Sequence, residues 1–261
     1  MTSISQPSAR RRGVYVLGAF IDALSWDETM SLIQGWARAR APRSVCCCNA
    51  HSLITMRREP EVDAAIGAAD LAVPDGMPVA WMMRKLGFTG QVRLNGPDLM
   101  WRYCAIAERE GTSIFLYGNR DETLRALQAR LAAAFPRLRV AGAIAPPFRR
   151  LSVAEDEAVV AQINGSGAGV VFVSLGCPKQ EMWMDAHRDR IMAVQIGVGA
   201  AFDYHAGTLK RAPLWMQQRG MEWLHRLCTE PRRLWRRYFF TNLMFVLGAG
   251  RQLLGGGRTR G

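Results

Sequence analysis

The chain has 261 residues, 49% hydrophobic and 21% charged, a globular composition that excludes extended disorder and allows one large domain with or without an appendage. Its formal net charge of +12 is uneven: from Lys210 onward eleven Lys or Arg face only Glu222 and Glu230, so the excess suits anionic partners at the C-terminal end, whether nucleic acid, lipid headgroups or phosphorylated small molecules. Six cysteines, three of them consecutive at Cys46, Cys47 and Cys48, and four scattered histidines fit neither a disulfide framework nor zinc-ligand spacing. Reduced thiols, a cytoplasmic setting and no metal are therefore expected.

The elements read as follows along the chain. Residues 1–12 are expected to be a disordered basic N-terminus. The apolar run at 13–20 follows Arg10, Arg11 and Arg12 and imitates a signal peptide, but it is brief, ends at Asp22 and lacks a small-residue cleavage site, so it reads as a first β-strand. Short β-branched or apolar runs at 44–48, 71–74, 113–117, 138–144, 170–175 and 193–198 predict strands. Helical spacing of apolar residues lies between them, as at 122–135 and 179–191. Strand–helix alternation implies an α/β fold with a mostly parallel sheet covered on both faces. The core is expected to span 13–209. At 210–254 the chain turns Arg- and Trp-rich, with Pro213 and Pro231 placed to start helices, and predicts a helical appendage; 255–261 reads as a disordered basic tail. The apolar stretch 238–247 is shorter than the roughly 20 residues needed to span a bilayer, so it is expected to lie on a membrane and not to cross one.

In an open parallel sheet the ligand lies beyond the carboxyl ends of the strands. The polar residues following the predicted strands are Asn49 and His51, Asp75 and Gly76, Gly118 and Asn119, the loop Gly176-Cys177-Pro178-Lys179-Gln180-Glu181, and Gly199 to Asp203. Asp75, in Val73-Pro74-Asp75-Gly76, would be rigidly supported at a strand end, although Asp-Gly also suits a tight turn or a helix N-cap, and Asn49 also suits a cap. The 176–181 loop runs from strand to helix, where free N–H groups and the helix dipole favour an anion such as a diphosphate. It is not a Walker A motif, and Ile196-Gly-Val-Gly-Ala-Ala-Phe202 supplies only two of the three glycines of a dinucleotide fingerprint. Cys177 reads as a packed thiol more readily than as a nucleophile. Arginines interleaved with Trp and Tyr over 221–240 fit an interfacial membrane surface, RNA binding, or a solvated helix with its Trp in the core.

Taken together, these motifs resemble the bacterial WecG/TagA/CpsF glycosyltransferases, from about Gly18 to Tyr238. The specific pieces are Ala69-Asp-Leu-Ala-Val-Pro-Asp-Gly76, Arg93-Leu-Asn-Gly-Pro-Asp98, Gly176-Cys-Pro-Lys-Gln-Glu181, Gly197-Val-Gly-Ala-Ala-Phe-Asp203, Arg211-Ala-Pro213, and Glu222-Trp-Leu-His-Arg226 followed by Glu230-Pro-Arg-Arg233. The resemblance implies a Rossmann-like core with a C-terminal helical appendage, working without a cofactor or a divalent metal. It implies inverting transfer of a hexose or N-acetylhexosamine from a UDP-sugar to a polyprenyl-diphosphate-linked sugar, on the inner face of the bacterial plasma membrane.

By the same resemblance, Asp75 is the catalytic base, with Asn49 and Arg93 beside it in the cleft. Substrate contacts fall on Cys47, Gly176, Lys179, Gln180, Glu181, Asp203, Arg226, Arg233, Arg236 and Arg237. Relatives that use N-acetylmannosamine often carry Thr where this chain has Cys47, which leaves the donor sugar open. The expected partners are the UDP-sugar, the lipid-linked acceptor and an anionic membrane surface, with homo-oligomerisation through apolar surface near the site. The ordered motif set favours this reading, with no nucleic acid partner, over a basic nucleic-acid-binding module or a nucleotide-dependent enzyme of another class.

Overall fold

A computed structural model describes residues 11–255. The chain runs β1 (Gly13–Val16), β2 (Ala19–Asp22), α1 (Trp26–Arg38), β3 (Arg43–Cys48), α2 (Ala50–Met56), α3 (Pro60–Ala68), β4 (Leu71–Pro74), α4 (Met77–Lys85), α5 (Gly96–Glu110), β5 (Ile114–Gly118), α6 (Asp121–Ala134), β6 (Val140–Ile144), α7 (Val153–Gly165), β7 (Val170–Ser174), α8 (Lys179–Ala186), β8 (Val194–Gly197), α9 (Ala201–Ala206), α10 (Leu214–Gln218), α11 (Glu222–Thr229) and α12 (Pro231–Leu254). Six of the strands form a parallel sheet in the order β4-β3-β8-β7-β5-β6. Helices cover it, so β5 and β7 are nearly continuous apolar runs, while β8 buries a single polar residue, Gln195. Successive side chains still point to opposite faces: Cys46 and Cys48 join one core layer, Cys47 the other.

The expected single strand at 13–20 is instead a hairpin forming its own two-stranded sheet. Leu17 and Gly18 both take positive φ, 51° and 98°, as a tight turn between right-twisted strands requires. An apolar Val-Leu-Gly-Ala stretch hides that turn because Gly18 carries the signal alone. Arg11 pairs with Asp22 and Arg12 donates to the Ala23 carbonyl at 2.9 Å, so both residues grouped with the N-terminal tail are tied to the hairpin. Residues 1–10 and 256–261, expected as disordered tails, lie outside the described residues.

Local chemistry sets the helix starts. Ser25 with Glu28, and Ser152 with Glu155, form reciprocal capping boxes on α1 and α7. Helix α8 stops at Ala186, short of the expected 191, where Asp156 of α7 accepts from Arg190 at 2.7 Å and meets His187 Nε2 at 2.9 Å.

The C-terminal helices fold back over the core. Phe245 and Ala249 of α12 enter the main apolar cluster, and Gln252 accepts from the Leu17 N–H at 2.9 Å while donating to the Tyr15 carbonyl at 2.7 Å. Among the described residues no helix is long and apolar enough to cross a membrane.

Candidate active site

A cleft of about 2010 Å³ opens along the carboxyl ends of β3, β4, β5, β7 and β8, with α11 and α12 forming its far wall. Cys47, Asn49, Asp75, Arg93, Gly176, Lys179, Gln180, Glu181, Asp203, Arg226 and Arg237 all line it. Arg236 does not: it is exposed, its guanidinium 5.4 Å from the Trp235 ring on the outer side of α12. The side chain of Arg233 lies outside what the structure describes.

Asp75 leaves β4 with its backbone N–H still bonded to the Cys48 carbonyl at 2.9 Å, so the sheet itself aims the side chain. It does not cap α4, whose N-cap is Gly76 without a side-chain bond. Its carboxylate accepts from Asn49 Nδ2 at 3.0 Å and from the Gly96 N–H at 3.2 Å. Asn49 does two jobs at once: its Oδ1 accepts from the N–H groups of His51 and Ser52 at the start of α2, which leaves the amide nitrogen to face Asp75. Gly96 sits so close to β8 that a Cβ would meet the Val198 carbonyl at 2.8 Å, and that closeness lets its N–H reach the carboxylate. Desolvation raises the Asp75 carboxyl above its ordinary range; the Arg93 charge and the Asn49 and Gly96 bonds oppose this, and Glu222 adds to it.

Arg93 holds this corner to the appendage. Its Nε donates to the Asp75 carbonyl at 2.5 Å and its terminal nitrogen to Glu222 of α11 at 2.7 Å. Glu222 also meets Arg211 at 3.4 Å, and Arg211 continues to Asp98 and to Asn95 Oδ1 at 3.1 Å. Asn95 caps α5. One chain of charges thus connects α11, the segment before α10, the start of α5 and the strand end that carries Asp75.

On the other side, Gln180 braces the 176–181 loop. Its Oε1 accepts from the Gly199 N–H at 3.0 Å and its Nε2 donates to Glu181 Oε1 at 3.0 Å. Glu181 is 2% exposed, and its second oxygen has no hydrogen-bond partner among the described residues; burial raises its carboxyl above the usual range. Lys179 is exposed at the mouth. Asp203 accepts from Asn119 Nδ2 at 2.9 Å and from Thr208 at 3.3 Å. The Cys47 thiol is buried, and desolvation followed by the Asp75 charge pushes it well up, so it stays protonated. Burial does the same to Cys177.

The far wall brings cations. Arg226 has a buried Nε without a hydrogen-bond partner among the described residues, and burial pushes the nearby Tyr204 phenol up to about 12 against the opposing charge of that guanidinium. His51, near Arg237, is depressed to about 4 by desolvation and by that positive charge, so its imidazole is neutral at ordinary pH. Arg211 and Glu222 contribute to the site beyond the residues expected of it, and Asn119, expected at the rim, does so by holding Asp203. Their partners stand up to 129 residues away in sequence, and only folding reveals them. Among the described residues no three His, Cys, Asp or Glu side chains are grouped to hold a metal ion.

Residues 14–259 match the model of the family described as Glycosyl transferase WecG/TagA/CpsF family.

Proposed function

The chain belongs to the WecG/TagA/CpsF family, and on that premise, which makes it a glycosyltransferase of surface-polysaccharide synthesis, we propose that it inverts a sugar from a UDP-sugar onto a polyprenyl-diphosphate-linked sugar without a divalent metal. The observation that carries this is the Asp75 corner: a desolvated carboxylate, fixed by Asn49 and Gly96, on the rim of a cleft whose opposite wall is cationic.

Asp75 takes the proton of the acceptor hydroxyl while that oxygen attacks the anomeric carbon from the face opposite UDP. The bond to the diphosphate oxygen breaks and UDP leaves. Proton removal by a positioned base contributes typically about 10²–10⁴-fold, and a carboxyl raised above its ordinary range is the stronger base. Charge gathers on the departing diphosphate. The N–H groups of the 176–181 loop, Arg226 and Arg237 are the groups suited to meet it. Asp203, steadied by Asn119 and Thr208, suits ribose hydroxyls as an acceptor. Arg93 acts as a fastener, holding the Asp75 carbonyl and Glu222 together.

Attachment to the inner face of the plasma membrane is supported by the outer side of the C-terminal helices. Trp215, Trp235, Phe239, Phe240, Val246 and Leu247 are exposed there beside the exposed Arg232 and Arg236, a mixture suited to the headgroup boundary. The test is transfer by the purified protein from a panel of UDP-sugars to a lipid-diphosphate-linked acceptor, with anomeric analysis of the product. Retention of configuration, or Asp75→Asn turning over like the parent, overturns the mechanism.

A further inference from the structure

A second cavity, of about 580 Å³, lies away from the cleft, where the β1–β2 turn, the α2–α3 elbow and the last turns of α12 meet. Arg57, Arg58 and Arg251 line it. None of the three has an ion pair or side-chain hydrogen bond among the described residues. Asp63, itself engaged, is the one carboxylate of that lining, so the pocket carries a positive surplus. Its floor is built for a close approach. A Cβ at Gly248 would stand 2.8 Å from Leu17 and 2.9 Å from an Arg57 nitrogen, so glycine there lets the Arg57 guanidinium lie across α12.

The position of Arg251 gives the pocket a direction. It is four residues after Leu247 and three before Leu254, on the same stripe of α12, and all three are exposed. Gly248 and Gln252, further round the helix from that stripe, line the pocket's inner side against Leu17 of the hairpin. The basic pocket therefore opens at the end of the apolar stripe assigned above to the membrane, at the level where headgroups would meet a helix lying in the interface.

We propose that Arg57, Arg58 and Arg251 form a binding pocket for the phosphate headgroup of an anionic phospholipid, which orients the protein on the bilayer through the end of α12 opposite the cleft. This rests on the membrane reading above and names the lipid class it selects. Guanidinium groups suit a phosphodiester because they offer paired donors in a planar fork.

The experiment is sedimentation of the full chain with phosphatidylcholine vesicles, with and without phosphatidylglycerol. Parent protein is compared with Arg57→Gln/Arg58→Gln/Arg251→Gln and with the charge-matched control Arg125→Gln/Arg130→Gln/Arg139→Gln. Near an anionic surface each arginine is worth about 1 kcal/mol, so the pocket variant should lose on the order of 100-fold in partitioning to phosphatidylglycerol vesicles and keep its weak binding to phosphatidylcholine. The control should lose far less. Thermal melts coinciding with the parent establish that the exposed substitutions leave the fold intact.

Equal losses in the two triple variants would show a diffuse charge effect and overturn the pocket. So would parent binding that ignores phosphatidylglycerol, although the membrane reading would then stand. Parent that binds neither vesicle sinks the membrane reading itself. Dihexanoyl-phosphatidylglycerol below its micelle concentration should shift amide resonances around Gly248, and inorganic phosphate should not; equal shifts by both would make this a free-anion site and refute the lipid assignment.

Discussion

The Arg93–Glu222 pair should couple the appendage to the corner that holds Asp75, the proposed catalytic base, in a way that two independent measurements can read. The two side chains are 17% and 14% exposed and 2.7 Å apart, too buried for the 0–1 kcal/mol typical of surface pairs. A hydrogen bond between charged groups in such a setting is worth about 1.5–3 kcal/mol, so a double-mutant cycle over Arg93→Gln and Glu222→Gln, followed by urea unfolding, should give a coupling of about 2 kcal/mol. Glu222→Gln alone disturbs Arg93 more than Arg211, because Arg211 keeps Asp98 and Asn95. The same substitutions act on Asp75 with opposite sign. Arg93 favours its ionised form and Glu222 disfavours it. Removing the Glu222 charge should therefore move the acid limb of the kcat/KM profile to lower pH, and removing the Arg93 charge should move it to higher pH. A coupling below about 0.5 kcal/mol, within ordinary non-additivity, would show that the pair does not hold α11. Limbs moving in the same direction would show that Asp75 is not the group being titrated.

Asp75→Asn should lower kcat by about 10²–10⁴-fold with little change in donor KM. It should also stabilise the protein at neutral pH by about 0.5–2 kcal/mol, since a carboxyl raised in the folded state loses folding stability as pH climbs from its unfolded value through its folded one. His51 works the other way: depressed from 6.5 to about 4, it leaves stability intact above 6.5 and withdraws up to about 3 kcal/mol as pH falls through that window. The difference in unfolding free energy between parent and His51→Asn, followed from pH 7 down to 4, isolates that slope, and parallel curves would contradict the buried neutral imidazole. Chelation with EDTA should leave transfer unchanged in a metal-free assay, and a loss restored by added Mg²⁺ would contradict arginine-based stabilisation of the diphosphate.

Strand positions and the rim were legible from the sequence because both depend on local pattern. Apolar runs of four to six residues mark β3, β4, β5, β7 and β8, and a parallel sheet must bring the residues after them to one edge. What stayed hidden depends on side-chain orientation and on distant pairing. Asn49 reads from the sequence as a helix cap or as a cleft residue, yet an amide has two ends: Oδ1 caps α2 and Nδ2 donates to Asp75. Arg93 is expected in the cleft beside Asp75, and the sequence does not say what its guanidinium holds. Its partners are a carbonyl and a glutamate from 129 residues downstream, which no spacing rule connects. Arg236 and Arg237 are neighbours with similar composition around them, but one helix step sends the first outward over Trp235 and the second into the cleft.

The C-terminal segment is less an added tail than a helix with two attachments, and this changes how its role can be tested. Its first half contributes Leu234, Arg237, Tyr238 and Thr241 to the cleft. Its second half buries Phe245 and Ala249 in the core and satisfies two backbone groups of the hairpin through Gln252. Deleting everything after residue 209 would therefore expose the main apolar cluster and leave the Leu17 N–H unpaired, so loss of transfer would report unfolding as readily as loss of a membrane contact. Point changes separate the two. Gln252→Ala should cost about 1–3 kcal/mol in urea unfolding, the usual penalty for a buried polar group left without a partner, while kcat at temperatures where the protein stays folded should hold near the parent value. Arg226→Gln should do the reverse, leaving stability within about 1 kcal/mol and lowering kcat, because its partly buried side chain lines the cleft and has no hydrogen-bond partner at Nε among the described residues. If Gln252→Ala abolished transfer without destabilising the fold, the division of α12 into a docking half and a cleft half would be wrong.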